Sequence, residues 1–230
     1  MPGTLQDVER YIAENNPGTI VGVDEAGRGC MAGPIVAAAA AVSVNWQPPV
    51  QLTDSKDMTV PAMRRIVERF KDDDKVVIGI GITQPADIDA NGIDWAQAAA
   101  QGDAIRGTFW RLVYPPFVVV DGINLPQVGT EDCKHIICLP KGDALVPAVS
   151  LASVFAKTTQ LQLMGEADKL YPGYGFSSHA GYPSKAHKAA LAELGPCPIH
   201  RKSWAPVRRQ AAQTDAQEAW DRLVEGDFGE

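Results

Sequence analysis

Residues 19–34 read Thr-Ile-Val-Gly-Val-Asp-Glu-Ala-Gly-Arg-Gly-Cys-Met-Ala-Gly-Pro. The run opens with the apolar, β-branched residues 20–23, the composition of a buried strand. Asp24 and Glu25 end it, and Gly27-Arg28-Gly29 follows. Glycine serves where a backbone bends sharply or lies against a ligand. A second apolar run, residues 35–44, starts directly after Pro34 and predicts the partner strand of a hairpin. Adjacent side chains of a strand point to opposite faces. Asp24 and Glu25 can therefore share one metal ion only where the backbone turns or bulges. Clusters of Asp, Glu and Gly after a strand are most often turns. The doublet alone leaves a polar hairpin turn and a functional site both open, with Arg28 as an ion-pair partner of either acid under the first.

The rest of the chain predicts an α/β architecture. Helical spacing at Leu5, Val8, Tyr11 and Ile12 gives a leading helix, stopped by Asn-Asn-Pro-Gly. Thr59 caps a predicted helix over 61–71, with Pro61 in its first turn. Asp72-Asp73-Asp74 reads as the solvated turn that closes it. Residues 76–82 form a third strand and 85–92 a polar connection. A long helical pattern over 93–113 ends at Pro115-Pro116. Residues 117–121 are a continuous apolar strand ending in Asp121, and 135–139 a shorter one with Asp143 just past its end. Open α/β sheets gather ligands at the carboxyl ends of their strands. Three apolar strands thus deliver Asp24, Asp121 and Asp143 to one edge. A long helix over 147–170 has Ala148, Ala152 and Ala156 at four-residue spacing, so it can lie close on the sheet. A glycine and aromatic loop follows. Then come a helix to about Leu194 with Ser184 near its cap, and a last helix from Ala205.

A chain of 230 residues suits one domain, or one domain with an appendage. The net charge of −7 argues against a nucleic-acid partner when taken alone. The distribution says more. Over residues 183–212, Lys185, Lys188, Arg201, Lys202, Arg208 and Arg209 stand against one acid, Glu193; residues 213–230 reverse the sign. No run approaches the ~18 apolar residues of a membrane span. Residues 1–17 are polar and lack the apolar core of a secretion signal, so a cytoplasmic protein is expected. Cys30, Cys133, Cys138 and Cys197 are unevenly spaced, which fits reduced thiols. Cys133, His135 and Cys138 do not have the spacing of a standard zinc pair.

The string Val23-Asp24-Glu25-Ala26-Gly27-Arg28-Gly29, then Ala32-Gly33-Pro34, resembles the signature of ribonuclease HII, the type 2 ribonuclease H. Asp54-Ser55-Lys56, Lys141-Gly142-Asp143, Ser153 with Lys157, and His179-Ala-Gly-Tyr182 match further motifs of that family. Departures stand at Gln160-Leu161, where the family usually has Arg-Asp, at Ala180 and Ser184, and at Trp204 in place of Phe. The resemblance implies a ribonuclease H-like mixed sheet flanked by helices, with a helical C-terminal part. Residues 1–204 would form the catalytic domain, and 205–230 a C-terminal helix and acidic tail.

It implies a metal-dependent endoribonuclease that hydrolyses the RNA strand of RNA–DNA hybrids. It would also cleave 5′ of single ribonucleotides in duplex DNA, leaving 3′-OH and 5′-phosphate ends. Asp24, Glu25, Asp121 and Asp143 would be the catalytic acids and the ligands of two Mg²⁺ or Mn²⁺ ions. Hard cations take oxygen ligands, so a thiol-free carboxylate cluster suits them. Gly27, Arg28 and Gly29 with Tyr182 would read the 2′-OH, the group that separates RNA from DNA. Lys56 and Ser184 would bind substrate. Lys157, Lys185, His187 and the basic run 201–209 are further candidates for phosphate contacts. A monomer is expected. Two rival readings share the fold: a binder without catalysis, against which the acids argue, and a nuclease for DNA junctions or ends, against which Gly-Arg-Gly with Tyr182 argues.

Overall fold

The computed structural model describes residues 3–52, 55–111, 116–123, 133 and 135–213; the acidic tail and Asp54 lie outside the described residues, as does the side chain of Lys56. Helix α1 (Leu5–Asn15) precedes the hairpin of β1 (Thr19–Ala26) and β2 (Ile35–Ser43). Then follow α2 (Val60–Phe70), β3 (Val77–Thr83), α3 (Pro85–Asn91), α4 (Ile93–Arg106), β4 (Phe117–Asp121) and β5 (His135–Leu139). The short α5 (Gly142–Leu145) leads into α6 (Pro147–Leu170), then α7 (Phe176–His179) and α8 (Lys185–Leu194). Residues 205–213 are again helical.

The five strands form one mixed sheet in the order β3-β2-β1-β4-β5. β2 runs antiparallel to both its neighbours, while β1, β4 and β5 run parallel. Both faces are covered, which is why β1, β2 and β4 are apolar throughout rather than alternating. One face packs on α6, with Ile20, Val119 and Leu151 in its core; the other packs on α4, with Val21, Val120 and Ala100. The alanine run of β2 lies between those layers, with Ala37 to Ala40 fully buried. Small side chains there let both helices come close.

Gly22 is the tightest approach of α6 to the sheet. A Cβ on it would lie 2.2 Å from the backbone of Ala148 and Val149. That contact fixes the start of α6 against β1, two residues before Asp24.

Two expectations need correction. The expected polar connection over 85–92 holds helix α3 (Pro85–Asn91): Pro85 sits in the first turn with its φ preset, and buried Ile88 anchors the turn to the core. The long helix stops at Arg106, where the Thr108 hydroxyl turns back to donate to the Ile105 carbonyl at 2.7 Å. Thr59 caps α2 as expected, and Ser184 caps α8 by accepting from the His187 N–H at 3.0 Å.

Candidate active site

Register places the first two acids. Val23 pairs with Val120 on parallel strands, so the next residues, Asp24 and Asp121, come side by side. Both then point to the α6 face, as alternation along a strand requires. Asp143 arrives on α5, where the Gly142 N–H donates to Asp121 Oδ1 at 2.7 Å. Lys141 turns the chain into α5 with a left-handed backbone, φ 60°. The Ser150 hydroxyl donates to the Asp143 carbonyl. Asp24, Asp121 and Asp143 each offer a carboxylate oxygen, and these oxygens lie within 4.8 Å of one another. Among the described residues, this is the group of His, Cys, Asp and Glu side chains that closes to metal-binding distance.

Glu25 behaves differently. β1 remains a regular strand through Ala26, with Glu25 opposite Ala37. Glu25 therefore points to the α4 face, where Gln101 Nε2 donates to its Oε2 at 2.8 Å. Its own N–H donates to Asp24 Oδ1 at 2.7 Å. The structure brings three of the expected acids together and sets the fourth beside them, on the other side of the strand.

Crowding of like charge is strong here. Burial pushes the Asp24 carboxyl up to about 8, and the charges of Glu25 and Asp121 add to it; a bond from Ser153 opposes. Burial, then Asp121, raises Glu25, with Gln101 and Arg28 opposing. Carboxylates this close are disfavoured as anions without a counter-charge. The donor set is all oxygen, with no thiol or imidazole, and so fits a hard divalent cation. Ser153 Oγ also lies 2.8 Å from buried Ser55 Oγ, which ties the Asp-Ser-Lys loop to the acid cluster.

The glycine loop leaves β1 directly after Ala26. Gly27 has φ 86°, a conformation that a side chain would strain. The Arg28 guanidinium pairs with Asp94 at 2.6 Å and donates to Gln97 Oε1 at 2.6 Å, not to Asp24. A Cβ on Gly29 would meet the Tyr182 ring at 3.6 Å, so that ring lies over the bare glycine. Tyr182 is 37% exposed, and Lys157 Nζ sits 4.9 Å from its ring centroid on a half-buried stem. Gln160, which replaces the family's arginine, is fully buried and donates to the Ala180 carbonyl at 2.7 Å.

Two suggested phosphate contacts are corrected by burial. His187 and Arg201 are each 0% exposed, so neither can reach a backbone phosphate. Lys185, Lys202, Arg208 and Arg209 are exposed. Gln97 and Gln101 were missed by the sequence reading. Two glutamines four apart in an alanine-rich helix were the available signal, because that spacing puts both on one face.

The buried histidines form a chain. His187 Nδ1 lies 2.9 Å from the Tyr182 carbonyl, which can only accept, so Nδ1 carries the proton. His187 Nε2, 3.1 Å from His200 Nε2, must then accept from it. His200 Nδ1 in turn accepts from the Cys197 N–H at 3.0 Å. Both rings are neutral in this arrangement. The His179 ring stacks on His187 at 4.4 Å, and Tyr174 lies 5.1 Å from His200.

Burial, then His187, holds His200 down to about 4 from an ordinary 6.5. The folded-state pKa lies below the unfolded one. Its contribution to stability is complete above about pH 6.5 and is lost as pH falls towards about 4. Asp24, raised in the fold, gives the opposite slope, so the comparison must be a difference. Wild-type protein should be more stable than His200→Gln near neutrality. That advantage should shrink by on the order of 2–3 kcal/mol across the window. Thermal melts of both proteins from pH 7.5 to 4 check this; a constant difference would contradict the neutral chain.

A family model described as Ribonuclease HII matches residues 21–207. The chain is 45% identical over 190 residues to a protein named Ribonuclease HII from Maricaulis maris, covering 82% of this chain and 83% of that one. Its fold is similar to that of ribonuclease H2 from Pyrococcus horikoshii OT3, with TM-score 0.68 and 23% identity, covering 85% and 98% of the two chains. It is also similar to the structure titled Bst-RNase HIII in complex with Mn2+, with TM-score 0.69 and 17% identity, covering 85% and 70%. A mixed sheet with acids gathered at its carboxyl edge, the match along residues 21–207 and the identity to a named relative agree: this chain belongs to the ribonuclease HII family and is a ribonuclease H hydrolase.

Proposed function

We propose that this enzyme hydrolyses the RNA strand of RNA–DNA hybrids and cleaves on the 5′ side of single ribonucleotides in duplex DNA. The ends left are a 3′-hydroxyl and a 5′-phosphate. The observation that carries this reading is a carboxylate cluster whose Asp24 lies on the strand that runs into a bare glycine loop overlain by a tyrosine. Asp24, Asp121 and Asp143 would hold Mg²⁺ or Mn²⁺, with Glu25 as the fourth ligand of a two-ion site. Bound there, the pair of ions supplies an activated water and charge stabilisation for the leaving oxygen. The likeness in fold to an enzyme solved with Mn²⁺ supports the choice of cation.

The chain's own groups would do the selecting. The N–H groups of Arg28 and Gly29 can donate to a 2′-OH, and the Arg28 carbonyl, which accepts from Arg201, keeps a second lone pair to accept from it. Tyr182 would pack on that sugar, so that a deoxyribose leaves the contact incomplete. Lys56 and the hydroxyl proton of Ser184 would position the duplex through sequence-blind contacts. A single chain, with residues 1–204 as its catalytic domain, would act in the cytoplasm.

Tyr182→Ala is expected to lower kcat on a duplex with one ribonucleotide by about 10–100-fold while leaving binding to plain duplex nearly unchanged. Steady-state kinetics with 5′-labelled oligonucleotides, beside a binding titration on all-DNA duplex, checks this. Equal losses in both would refute the ribose-reading role.

A further inference from the structure

The segment from Ile199 to Arg201 lies along the Met31–Gly33 stretch of the glycine loop, which also meets the loop that carries Tyr182. The Gly33 N–H donates to the Ile199 carbonyl and the Arg201 N–H to the Met31 carbonyl, each at 2.8 Å. Met31 in turn donates to the Gly181 carbonyl at 2.8 Å, so three strands of backbone are laced together. Their approach is close. A Cβ on Gly181 would lie 2.1 Å from the Ala32 carbonyl oxygen.

Two side chains on this segment reach in opposite directions. Arg201 is fully buried and spends its guanidinium on main-chain carbonyls. Its Nη2 donates to Gly27 at 2.6 Å and Pro34 at 3.2 Å, its Nη1 to Arg28 at 2.8 Å, and its Nε to Gly33 at 3.0 Å. A buried arginine is usually met by a carboxylate. Here a planar fork is matched to a curved loop of carbonyls, a geometry that a flexible ammonium cannot reproduce. His200, the residue before it, reaches through His187 to the Tyr182 carbonyl. One dipeptide therefore holds both halves of the surface assigned above to ribose reading.

We propose that His200-Arg201 is a positioning element that sets the spacing between the Gly27–Gly29 backbone and Tyr182, and through it the preference for a ribonucleotide. Neither side chain touches substrate. The inference rests on the proposed role of that loop and Tyr182, and the test separates the two.

Full-length wild type, Arg201→Lys, His200→Gln and His200→Leu would be compared on two matched duplexes, all-DNA and with one ribonucleotide. Folding is followed by circular dichroism, and assays are run well below each melting temperature. Arg201→Lys keeps the charge and loses the fork; His200→Gln keeps a donor towards His187, and His200→Leu removes it. Arg201→Lys and His200→Leu are expected to lower kcat on the single-ribonucleotide duplex by about 100-fold, the scale of a misplacement near 1 Å. Binding to all-DNA duplex should stay within about 3-fold, because phosphate contacts are untouched. His200→Gln should recover much of the His200→Leu loss.

If wild type does not prefer the ribonucleotide duplex, the proposed function fails, whatever the variants do. If wild type prefers it and both folded variants keep that preference, the positioning role alone is overturned. Failure of Arg201→Lys and His200→Leu to fold at any temperature would also overturn it, since the pair would then be core scaffold.

Discussion

Asp121→Asn should fold normally and lose cleavage of a duplex holding one ribonucleotide by about 1000-fold or more, the scale set by removing the charge that a metal-assisted displacement needs. The substitution is nearly isosteric. The asparagine oxygen can still accept from the Gly142 N–H, so the join between β4 and α5 survives. Without added metal the variant should be at least as stable as wild type. The Asp121 charge raises both Asp24 and Glu25, and its removal relieves that repulsion. Activity with Mg²⁺ and with Mn²⁺, measured beside a thermal melt, separates the two effects. Near-normal turnover would remove Asp121 from the catalytic set. A collapsed melt would make it structural.

Gly22→Ala should strongly destabilise the fold where α6 meets the sheet. The added carbon would lie 2.2 Å from backbone atoms of Ala148 and Val149, and backbone cannot rotate away as a side chain can. Either α6 lifts off β1 or the strand bends. The cost should be about 3 kcal/mol or more, the upper range for overpacking a filled core. In a domain of this size that corresponds to a fall in Tm of about 10 °C. The site would suffer with the fold. α6 carries Ser153, which bonds to Asp24, and α5 with Asp143 lies directly before it. Activity should therefore fall even at temperatures where the variant is folded. A variant with the wild-type melting temperature would contradict the packing described here.

The parts legible in the sequence were those with local causes. Residues 20–23 and 117–120 are apolar, and each is a strand because that composition suits a surface buried on both sides; 136–139 is a shorter apolar run that forms the edge strand. The placement of Asp24 and Asp121 on one edge followed from where those runs end. Asp143 followed from its position just past the third run. The condition placed on the Asp24-Glu25 doublet also came from strand geometry alone. The structure answers it with a regular strand, and Glu25 stands on the far face with Gln101.

What stayed hidden depends on contacts across long sequence distances. Arg201 sat in a run of basic residues, and a basic run implies an exposed face. Its partners lie 167 to 174 positions earlier and are carbonyls, which leave no mark in a sequence. His187 looked like a surface residue on a polar helix, and only the fold brings His200 within 3.1 Å of it. Asp89 gave no signal either. It accepts from the backbone of Lys202 and Ser203, and so clasps α3 to the C-terminal segment. Helix α3 was missed because seven residues are too few to show a period, and its start rests on a proline and one buried isoleucine.

Mapping the cut on a DNA duplex that contains one ribonucleotide, against an identical all-DNA duplex, is the most direct trial of these ideas. A nick immediately 5′ of the ribonucleotide, with a 3′-hydroxyl on one fragment and a 5′-phosphate on the other, is the expected result. Cleavage on the 3′ side, a cyclic phosphate end, or equal cutting of the all-DNA control would contradict it.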